Sequence, residues 1–245
     1  MAVAQKVACE VERLISHGEH VYTVTLRAQR VTPRFRPGQF LHLALEPYDA
    51  SSVWPDSRVF SIASSPSERE RLRISYSVRG RFTARMEAEL VEGRQVWVKL
   101  PYGDFVVDSE TDVVLLAGGT GITAFTAFLE GLVLDDSRSV YLVYGARRES
   151  LLIYRDLVRR RVEALPSLHV AYFIEQGEPP STAANDDRET IRVGRLSVAA
   201  VWPRIRQPMH AAYYISGPPA MLQAVSQDLL DRGVDSEAIK TDAWE

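Results

Sequence analysis

The first hundred residues alternate between apolar and polar positions with a period of two, and turn residues such as Pro37 and Gly38 separate the alternating segments. A period of two places successive side chains on opposite faces of a strand, so each segment predicts a half-buried β-strand. The predicted strands are residues 6–12, 21–27, 39–45, 58–63, 72–78 and 96–100. One predicted helix, residues 83–90 with Thr83 as its cap, interrupts them. Several short strands in succession predict an antiparallel β-barrel or sandwich.

After about residue 109 the pattern changes to apolar strands that alternate with helices. The run at residues 113–117 is continuously apolar, as expected of a parallel strand that is covered on both faces. The other predicted elements are strands at 140–144, 168–174 and 211–215, and helices at 123–134, 154–165 and 219–232. This order predicts a parallel α/β sheet. We therefore expect an N-terminal β-barrel domain, residues 1–110, and a C-terminal α/β domain, residues 111–245, with surface loops at 47–56 and 177–189.

Composition and charge exclude several classes of protein. The chain has 245 residues, 46% of them hydrophobic and 25% charged, as in a globular domain pair. Its formal net charge of -3 offers no bulk attraction to nucleic acid, and no apolar run is long enough for membrane insertion. The single cysteine, Cys9, favours a cytoplasmic location and cannot hold an iron–sulfur cluster. The five histidines lack the spacing of a zinc site, so we expect no metal.

The most informative segment is residues 112–123, in which an apolar strand ends at Gly118 and Gly119 and a helical pattern follows Gly121. Glycines allow a sharp turn and a close approach to a ligand, and a helix N-terminus attracts phosphate. The same turn also serves tight packing between a strand and a helix, and the residues alone leave both interpretations open. A second strand–turn–helix junction, residues 216–221, predicts a crevice at the carboxyl ends of two parallel strands.

The predicted barrel carries two further motifs. Arg58, Phe60 and Ser61 lie on one strand, where a guanidinium fork, an apolar ring and a hydroxyl could each face a cofactor. Gly80 and Thr83 lie at a turn into a helix, whose N–H groups could bind an anion. An exposed arginine on a strand and an ordinary capped helix would explain both motifs equally well.

Four motifs follow one another along the chain: Arg-x-Phe-Ser at residues 58–61, residues 101–105, the glycine run at 118–123, and Ser-Gly-Pro-Pro-Ala-Met at 216–221. Together and in this order they resemble the ferredoxin–NADP reductase superfamily, and in particular its flavin reductases and the reductase components of bacterial oxygenases. The turn at residues 37–40 and the ending at residues 239–245 are similar to the family as well. The resemblance implies an NAD(P)H-dependent flavoprotein reductase. Its barrel would bind FAD, its α/β domain would bind NADH or NADPH, and hydride would pass from the nicotinamide to the flavin.

The resemblance also implies roles for individual residues. Those implied to contact FAD are Arg58, Phe60, Ser61, Ile74, Ser75, Tyr76, Gly80, Thr83 and Trp244, with Arg58 and Gly80–Thr83 at the phosphates, Ser61 at flavin N5 and Ile74–Tyr76 along the ring through their backbone. Those implied to contact the nicotinamide nucleotide are Gly119, Thr120, Gly121, Arg147, Gly217, Pro218 and Met221. The residues implied in catalysis are Ser61, Ser216, Asp242 and Trp244, with Trp244 as a gate over the flavin.

Four positions depart from the family's usual residues. Phenylalanine replaces tyrosine at Phe60, alanine replaces proline at Ala124, serine replaces cysteine at Ser216, and aspartate replaces glutamate at Asp242. These departures suggest slow or unusual turnover. The departures at Ala124, Ser216 and Asp242 also favour an alternative, in which the chain is a nucleotide-binding electron-transfer or sensing subunit of a larger complex with little turnover of its own.

The resemblance leaves the electron acceptor open. Because the chain has no iron–sulfur domain, electrons would pass to a separate ferredoxin-type iron–sulfur protein, to an oxygenase component or to free flavin. The residues decide neither NADH against NADPH nor, fully, FAD against FMN. An acidic acceptor would need a basic rim on the barrel. Candidates for such a rim, which could equally be an ordinary solvated surface, are Arg69, Arg71, Arg73, Arg79, Arg81 and Arg85.

Overall fold

The structure is a computed structural model that describes residues 3–134, 138–177 and 188–242. Its Cα positions cluster into two compact units. The first contains residues 1–106 together with residues 123–128, and the second contains residues 107–122 together with residues 129–245. Among the helices of the described residues, none combines the length and the apolar character that crossing a bilayer requires.

The first unit is built on one six-stranded antiparallel sheet, in the order β4-β3-β6-β1-β2-β5. Its elements are β1 (Gln5–Ser16), β2 (Val21–Ala28), β3 (Phe40–Ala44), β4 (Ser57–Ser61), β5 (Arg71–Ser77), α1 (Arg81–Glu89) and β6 (Gln95–Tyr102). Just beyond β4, the Ala63 N–H donates to the Arg73 carbonyl of β5 over 2.7 Å, so the two edge strands nearly close the sheet into a barrel. The predicted N-terminal antiparallel barrel is confirmed.

Alternating side chains of these strands form the core of the barrel. Leu41 and Leu43 of β3, Leu72 and Ile74 of β5, and Val98 of β6 are fully buried on its inner side. Phe82 and Met86 of α1 join the same cluster, so the helix packs on the barrel through one face. The period-two pattern in the sequence therefore identified the inner face correctly, and the residues between these positions form the outer face.

The second unit is a six-stranded parallel sheet in the order β10-β9-β8-β7-β11-β12. Its strands are β7 (Val113–Gly118), β8 (Val140–Ala146), β9 (Leu168–Ile174), β10 (Glu189–Val193), β11 (Ala212–Ser216) and β12 (Ile239–Asp242). The helices along this part of the chain are α2 (Thr123–Gly131), α3 (Arg155–Ala164), α4 (Val198–Val201) and α5 (Pro219–Asp231). The predicted α/β parallel-sheet domain is confirmed.

Several details differ from the sequence prediction. Helix α1 begins at Arg81, two residues before the predicted start, so Thr83 lies inside the first turn and is not the cap residue. Strands β10 and β12 were not predicted, because each is an edge strand with few apolar residues. The predicted loop at residues 177–189 falls largely outside the described residues, and its last residue, Glu189, begins β10.

Candidate functional site

In the first unit, Arg58 reaches the N-terminal turn of α1. Its guanidinium carbon lies 5.7 Å from the centre of the Phe82 ring, and Phe82 is the second residue of that helix. No side chain caps the helix and its first turn contains no acidic residue. The first N–H groups of a helix have no partners within the helix and carry partial positive charge. Arg58, whose guanidinium bonds the Ser57 carbonyl at 3.1 Å and lies 3.7 Å from the exposed Asp56 carboxylate, therefore stands beside a turn suited to a phosphate.

Thr83 shapes this turn through its hydroxyl group. The oxygen accepts hydrogen bonds from the N–H groups of Arg79 at 2.9 Å and Gly80 at 3.1 Å, and the hydroxyl donates to the Gly80 carbonyl at 3.1 Å. These bonds use the full capacity of a hydroxyl, so only the Thr83 backbone N–H remains for a ligand. A Cβ atom at Gly80 would meet no heavy atom within 4 Å, so a ligand can approach that backbone closely.

Along strand β5, alternate residues direct their backbone groups towards β2 and away from it. Arg73 directs its N–H to the Ser64 hydroxyl and its carbonyl to Ala63, away from β2. Because backbone groups alternate in direction along an antiparallel strand, Ser75 also points its N–H and carbonyl away from β2, whereas Ile74 and Tyr76 point theirs towards β2. Of the three β5 residues that we expected to contact FAD through their backbone, Ser75 thus directs its backbone groups towards the gap between the edge strands.

Ser61 and Phe60 end strand β4 on opposite faces. Ser61 is half-buried, and its hydroxyl has no hydrogen-bond partner among the residues that the structure describes. Phe60 packs against the core, with its ring centre 6.2 Å from that of Tyr76 in a T-shaped contact. The Tyr76 hydroxyl is buried and has no hydrogen-bond partner in the described part of the chain, and burial raises its pKa. Phe60 lacks the hydroxyl of the tyrosine that the family usually has at this position, and the adjacent Tyr76 ring carries a hydroxyl.

In the second unit, the two glycine turns pack tightly against each other at the carboxyl ends of β7 and β11. A Cβ atom at Gly121 would lie 2.2 Å from the Ser216 carbonyl oxygen, and one at Gly118 would lie 2.4 Å from the Met221 sulfur. A Cβ atom at Gly217 would lie 3.1 Å from the Gly118 backbone. These glycines allow the close approach of one turn to the other, so the packing interpretation holds for them.

Gly119 differs from the other three glycines. Its φ angle is +54°, in the left-handed region that favours glycine, and a Cβ atom there would meet no heavy atom within 4 Å. The space above Gly119 is therefore open, at the point where the sheet order reverses between β7 and β11. Open parallel sheets bind ligands at such switch points. Gly118, which belongs to the glycine run but was not expected to contact the nucleotide, lies against Met221 and Pro218 instead.

Ser216 and Asp242 lie side by side at the ends of β11 and β12. They are partners in the parallel pairing, and the Ser216 hydroxyl donates to Asp242 Oδ2 over 3.0 Å. Ser216 is buried, with 4% of its surface exposed. These two departures from the family pattern lie 26 positions apart in the chain, and the pairing of β11 with β12 makes them neighbours.

The remaining predicted residues occupy the same edge of the parallel sheet or lie outside the described residues. Thr120 lies between Gly119 and Gly121, and Pro218 precedes helix α5. Arg147 is exposed directly after β8, whose Gly145 pairs with Gly118 of β7. Trp244 lies outside the described residues. Among the residues that are described, no group of three or more histidine, cysteine, aspartate or glutamate side chains is arranged to hold a metal ion.

Comparison with known proteins finds relatives that cover both halves of the chain. Residues 115–227 match the family model of the oxidoreductase NAD-binding domain. The chain is 31% identical over 185 residues to the ferredoxin reductase component of a 3-ketosteroid-9-alpha-monooxygenase from Mycolicibacterium smegmatis, covering 73% of this chain and 52% of that protein. It is 28% identical over 224 residues to a flavohemoprotein of Bordetella pertussis, covering 87% of this chain and 54% of that protein.

A solved structure shows the same fold along its whole length. The ferredoxin NADP+ reductase from Neisseria gonorrhoeae, determined with bound FAD and NADP, superposes with a TM-score of 0.74 at 17% identity, covering 98% of both chains. The chain belongs to the ferredoxin–NADP reductase superfamily. Residues 115–227 match an NAD-binding domain, and the fold is that of a reductase that was solved with FAD and NADP. It spans about half the length of the curated relatives that it matches.

Proposed function

We propose that the chain takes electrons from NAD(P)H and passes them through FAD to a separate acceptor, either an oxygenase component or a ferredoxin-type protein. The observation that carries the proposal is the convergence of Arg58 on the uncapped first turn of α1, because it gives the barrel a site for the FAD phosphates. The relative from Mycolicibacterium smegmatis supports this type of acceptor, since its name describes the ferredoxin reductase component of a monooxygenase. Because Cys9 is a free, buried thiol and the chain has no second cysteine to form a disulfide, we also propose a cytoplasmic location.

The residues of the barrel fit FAD in three respects. Arg58 would hold the phosphates with two N–H groups, together with the first-turn amides of α1. The buried Tyr76 hydroxyl, which has no partner among the described residues, offers a hydrogen bond to a flat polar ring. Ser61 presents a hydroxyl without a protein partner, which suits a donor to a ring nitrogen. Bound FAD supplies the chemistry of accepting a hydride from the nicotinamide and releasing its electrons to the acceptor.

The residues of the parallel sheet orient the nicotinamide nucleotide. The open backbone of Gly119 lets a nucleotide approach, and Arg147 stands at the same sheet edge with a positive charge. The Ser216 hydroxyl, held by Asp242, fixes a polar pair at the end of β11. Such fixed groups contribute to hydride transfer by holding the reacting atoms within about 3–3.5 Å.

The test is anaerobic stopped-flow reduction of the purified holoprotein by NADH and by NADPH. We expect a yellow protein that contains FAD and bleaches on mixing with one or both nucleotides. In Ser61→Ala, flavin reduction should slow by about tenfold while bound FAD stays near the wild-type level, because one hydrogen bond to the reacting edge is lost. Ser57→Ala is the matched control, because Ser57 lies on the same face of β4 and bonds to Trp54 instead.

Two outcomes would contradict the proposal. A colourless protein that stays free of FAD when FAD is added would instead support a nucleotide-binding subunit without turnover. Unchanged single-turnover reduction in Ser61→Ala would remove Ser61 from the mechanism and leave the remaining assignments intact.

A further inference from the structure

Three polar side chains form a hydrogen-bonded row across the outer face of the barrel. The Thr23 hydroxyl oxygen lies 2.7 Å from the Ser75 hydroxyl oxygen and 2.9 Å from Nε2 of His17. Thr23 and Ser75 are directly opposite in the antiparallel pairing of β2 with β5, and His17 is the residue that follows β1. We refer to His17, Thr23 and Ser75 as the His-Thr-Ser row.

The His-Thr-Ser row leads from the surface into a buried part of the barrel. Thr23 has 5% of its surface exposed and Ser75 has 6%, whereas His17 is half-buried. The backbone N–H of His17 donates to the Val21 carbonyl at 2.9 Å, so the turn between β1 and β2 holds the histidine at the end of the row. The two hydroxyl groups are therefore linked to each other where water has little access, and the imidazole reaches solvent.

The inner end of the row lies opposite Ser61, across the gap between the two edge strands of the barrel. The hydrogen bond from the Ala63 N–H to the Arg73 carbonyl sets the level of these strands, and two residues further along each strand are Ser61 and Ser75. The Ser61 hydroxyl has no hydrogen-bond partner among the described residues, so on that side the polar contacts end at Ser61. On the other side they continue from Ser75 to His17.

The groups of the row have the chemistry that proton transfer requires. A hydroxyl donates one hydrogen bond while it accepts others, and a neutral imidazole has one donor and one acceptor nitrogen. Burial lowers the pKa of His17, which keeps the imidazole neutral and able to accept a proton. Both separations in the row lie within the range of about 2.6–3.2 Å over which side chains transfer protons.

The proposed function leaves a proton at the flavin site. A hydride consists of one proton and two electrons. When the two electrons pass to a separate acceptor, the proton stays behind and has to reach water. A site that is closed to water during hydride transfer therefore needs a path for this proton through the protein.

We propose that the His-Thr-Ser row carries this proton from the gap between the edge strands to solvent. The inference rests on the proposed function, since it adds a proton path to the same flavin site. A proton that arrives at Ser75 Oγ sends the Ser75 hydroxyl proton to Thr23 Oγ1, and the Thr23 hydroxyl proton moves to His17 Nε2. His17 then releases the proton of its other ring nitrogen, Nδ1, to water. Each hydroxyl gains one proton and loses one, so the net result is one proton delivered to solvent.

The test separates the entry of hydride from the exit of the proton. The FAD-loaded protein is first reduced by NAD(P)H without oxygen and is then reoxidised by ferricyanide, a small acceptor of single electrons, in H2O and in D2O. The variants are Thr23→Val, which removes the hydroxyl, and Thr23→Ser, which keeps it. Thr25→Val is the matched control, because Thr25 lies on the same face of β2 and has no side-chain hydrogen bond in the described part of the chain.

We expect the ratio of the reoxidation rate to the reduction rate to fall by about tenfold or more in Thr23→Val, and to recover in Thr23→Ser. Thr25→Val should keep the wild-type ratio. Wild-type reoxidation should be slower in D2O, because the protons of the row move in that step. His17→Ala should show the same fall in the ratio, and imidazole added to the solution should reverse it.

A second measurement needs no turnover. In protein labelled with 15N at histidine, adding oxidised FAD to the apoprotein should shift the His17 imidazole resonances in the NMR spectrum of the wild type and of Thr23→Ser. The shift should be lost in Thr23→Val, because the Thr23 hydroxyl links His17 to Ser75. His210, an exposed histidine of the second unit, is the internal reference.

The outcomes distinguish this inference from the proposed function. Equal ratios of reoxidation to reduction in the wild type and Thr23→Val, with FAD bound to both, would overturn the inference and leave the proposed function intact. An FAD-induced shift of the His17 resonances that is the same in Thr23→Val would also overturn it. A wild-type protein that binds no FAD, or that neither nucleotide reduces, would refute the proposed function and the inference with it.

Discussion

Replacing Gly121 by alanine tests whether the glycine turn is built for packing or for a ligand. The added Cβ would lie 2.2 Å from the Ser216 carbonyl oxygen, 2.5 Å from its carbon and 2.8 Å from the Gly217 nitrogen. Atoms pack best at about 3.5–4.0 Å, so the two turns would have to separate by about 1 Å. All three obstructing atoms are backbone atoms and cannot rotate away as the end of a flexible side chain could.

The expected cost follows from this geometry. Overpacking costs about 1–3 kcal/mol, and a backbone obstruction belongs at the upper end, about 3 kcal/mol. Gly119→Ala is the matched control. Its Cβ meets open space, so its cost is that of a left-handed φ angle with a side chain, about 1 kcal/mol.

Urea unfolding of the two variants measures these costs. With a denaturant slope of about 2 kcal/mol/M, the midpoint should fall by about 1.5 M in Gly121→Ala and by about 0.5 M in Gly119→Ala. Nucleotide binding separates them further. Gly119→Ala should weaken NAD(P)H binding by about tenfold despite its near-normal stability, because its methyl group occupies the approach. Equal midpoint losses, or a larger loss in Gly119→Ala, would refute the assignment of packing to Gly121 and of ligand approach to Gly119.

Three further predictions concern single side chains. Thr83→Ala should lower the unfolding free energy by about 1 kcal/mol and weaken FAD binding, because the N–H of Gly80 loses its acceptor. Thr83→Ser keeps the hydroxyl, so it should restore the stability in a thermal melt and the affinity in an FAD titration. Tyr76→Phe should stabilise the apoprotein by about 1 kcal/mol in urea yet weaken FAD binding, and unchanged FAD affinity would show that the ligand leaves this hydroxyl unused. A hydrogen bond from Arg206 lowers the pKa of Asp112, so the Asp112 carboxylate contributes stability above about pH 4 that is lost as the pH falls. In acid unfolding, the difference in stability between the wild type and Asp112→Asn should therefore disappear below that pH.

The fold could be predicted from the sequence because its two halves have different periods. Alternation with a period of two marked β1 to β6, and the continuous apolar run of β7 marked a strand that is covered on both faces. Strands β10 and β12 escaped prediction because edge strands bury few side chains and carry little apolar signal. The start of α1 was misplaced because Thr83 satisfies backbone N–H groups from within the first turn, a role that the sequence does not distinguish from capping.

The candidate site could be predicted only at the level of motifs. The sequence located both glycine turns, yet it could not assign Gly121 to packing and Gly119 to open space, because that difference depends on which turn faces which. It grouped Ile74, Ser75 and Tyr76 together, although the direction of hydrogen bonding leaves only the Ser75 backbone towards the gap between the edge strands. It also did not show that Lys6 and Lys99 lie opposite each other, because they are far apart in the chain and meet only through the pairing of β1 with β6.

The pairing of Ser216 with Asp242 changes the meaning of two departures from the family pattern. Taken separately, a serine in place of cysteine and an aspartate in place of glutamate each suggest a weakened site. In the structure the two residues are neighbours in the sheet and share a hydrogen bond of 3.0 Å. A hydroxyl is a stronger donor than a thiol, so the serine can hold a carboxylate that a cysteine would hold only weakly. The two departures therefore act as one unit, and reverting both together should preserve more activity than reverting either one alone.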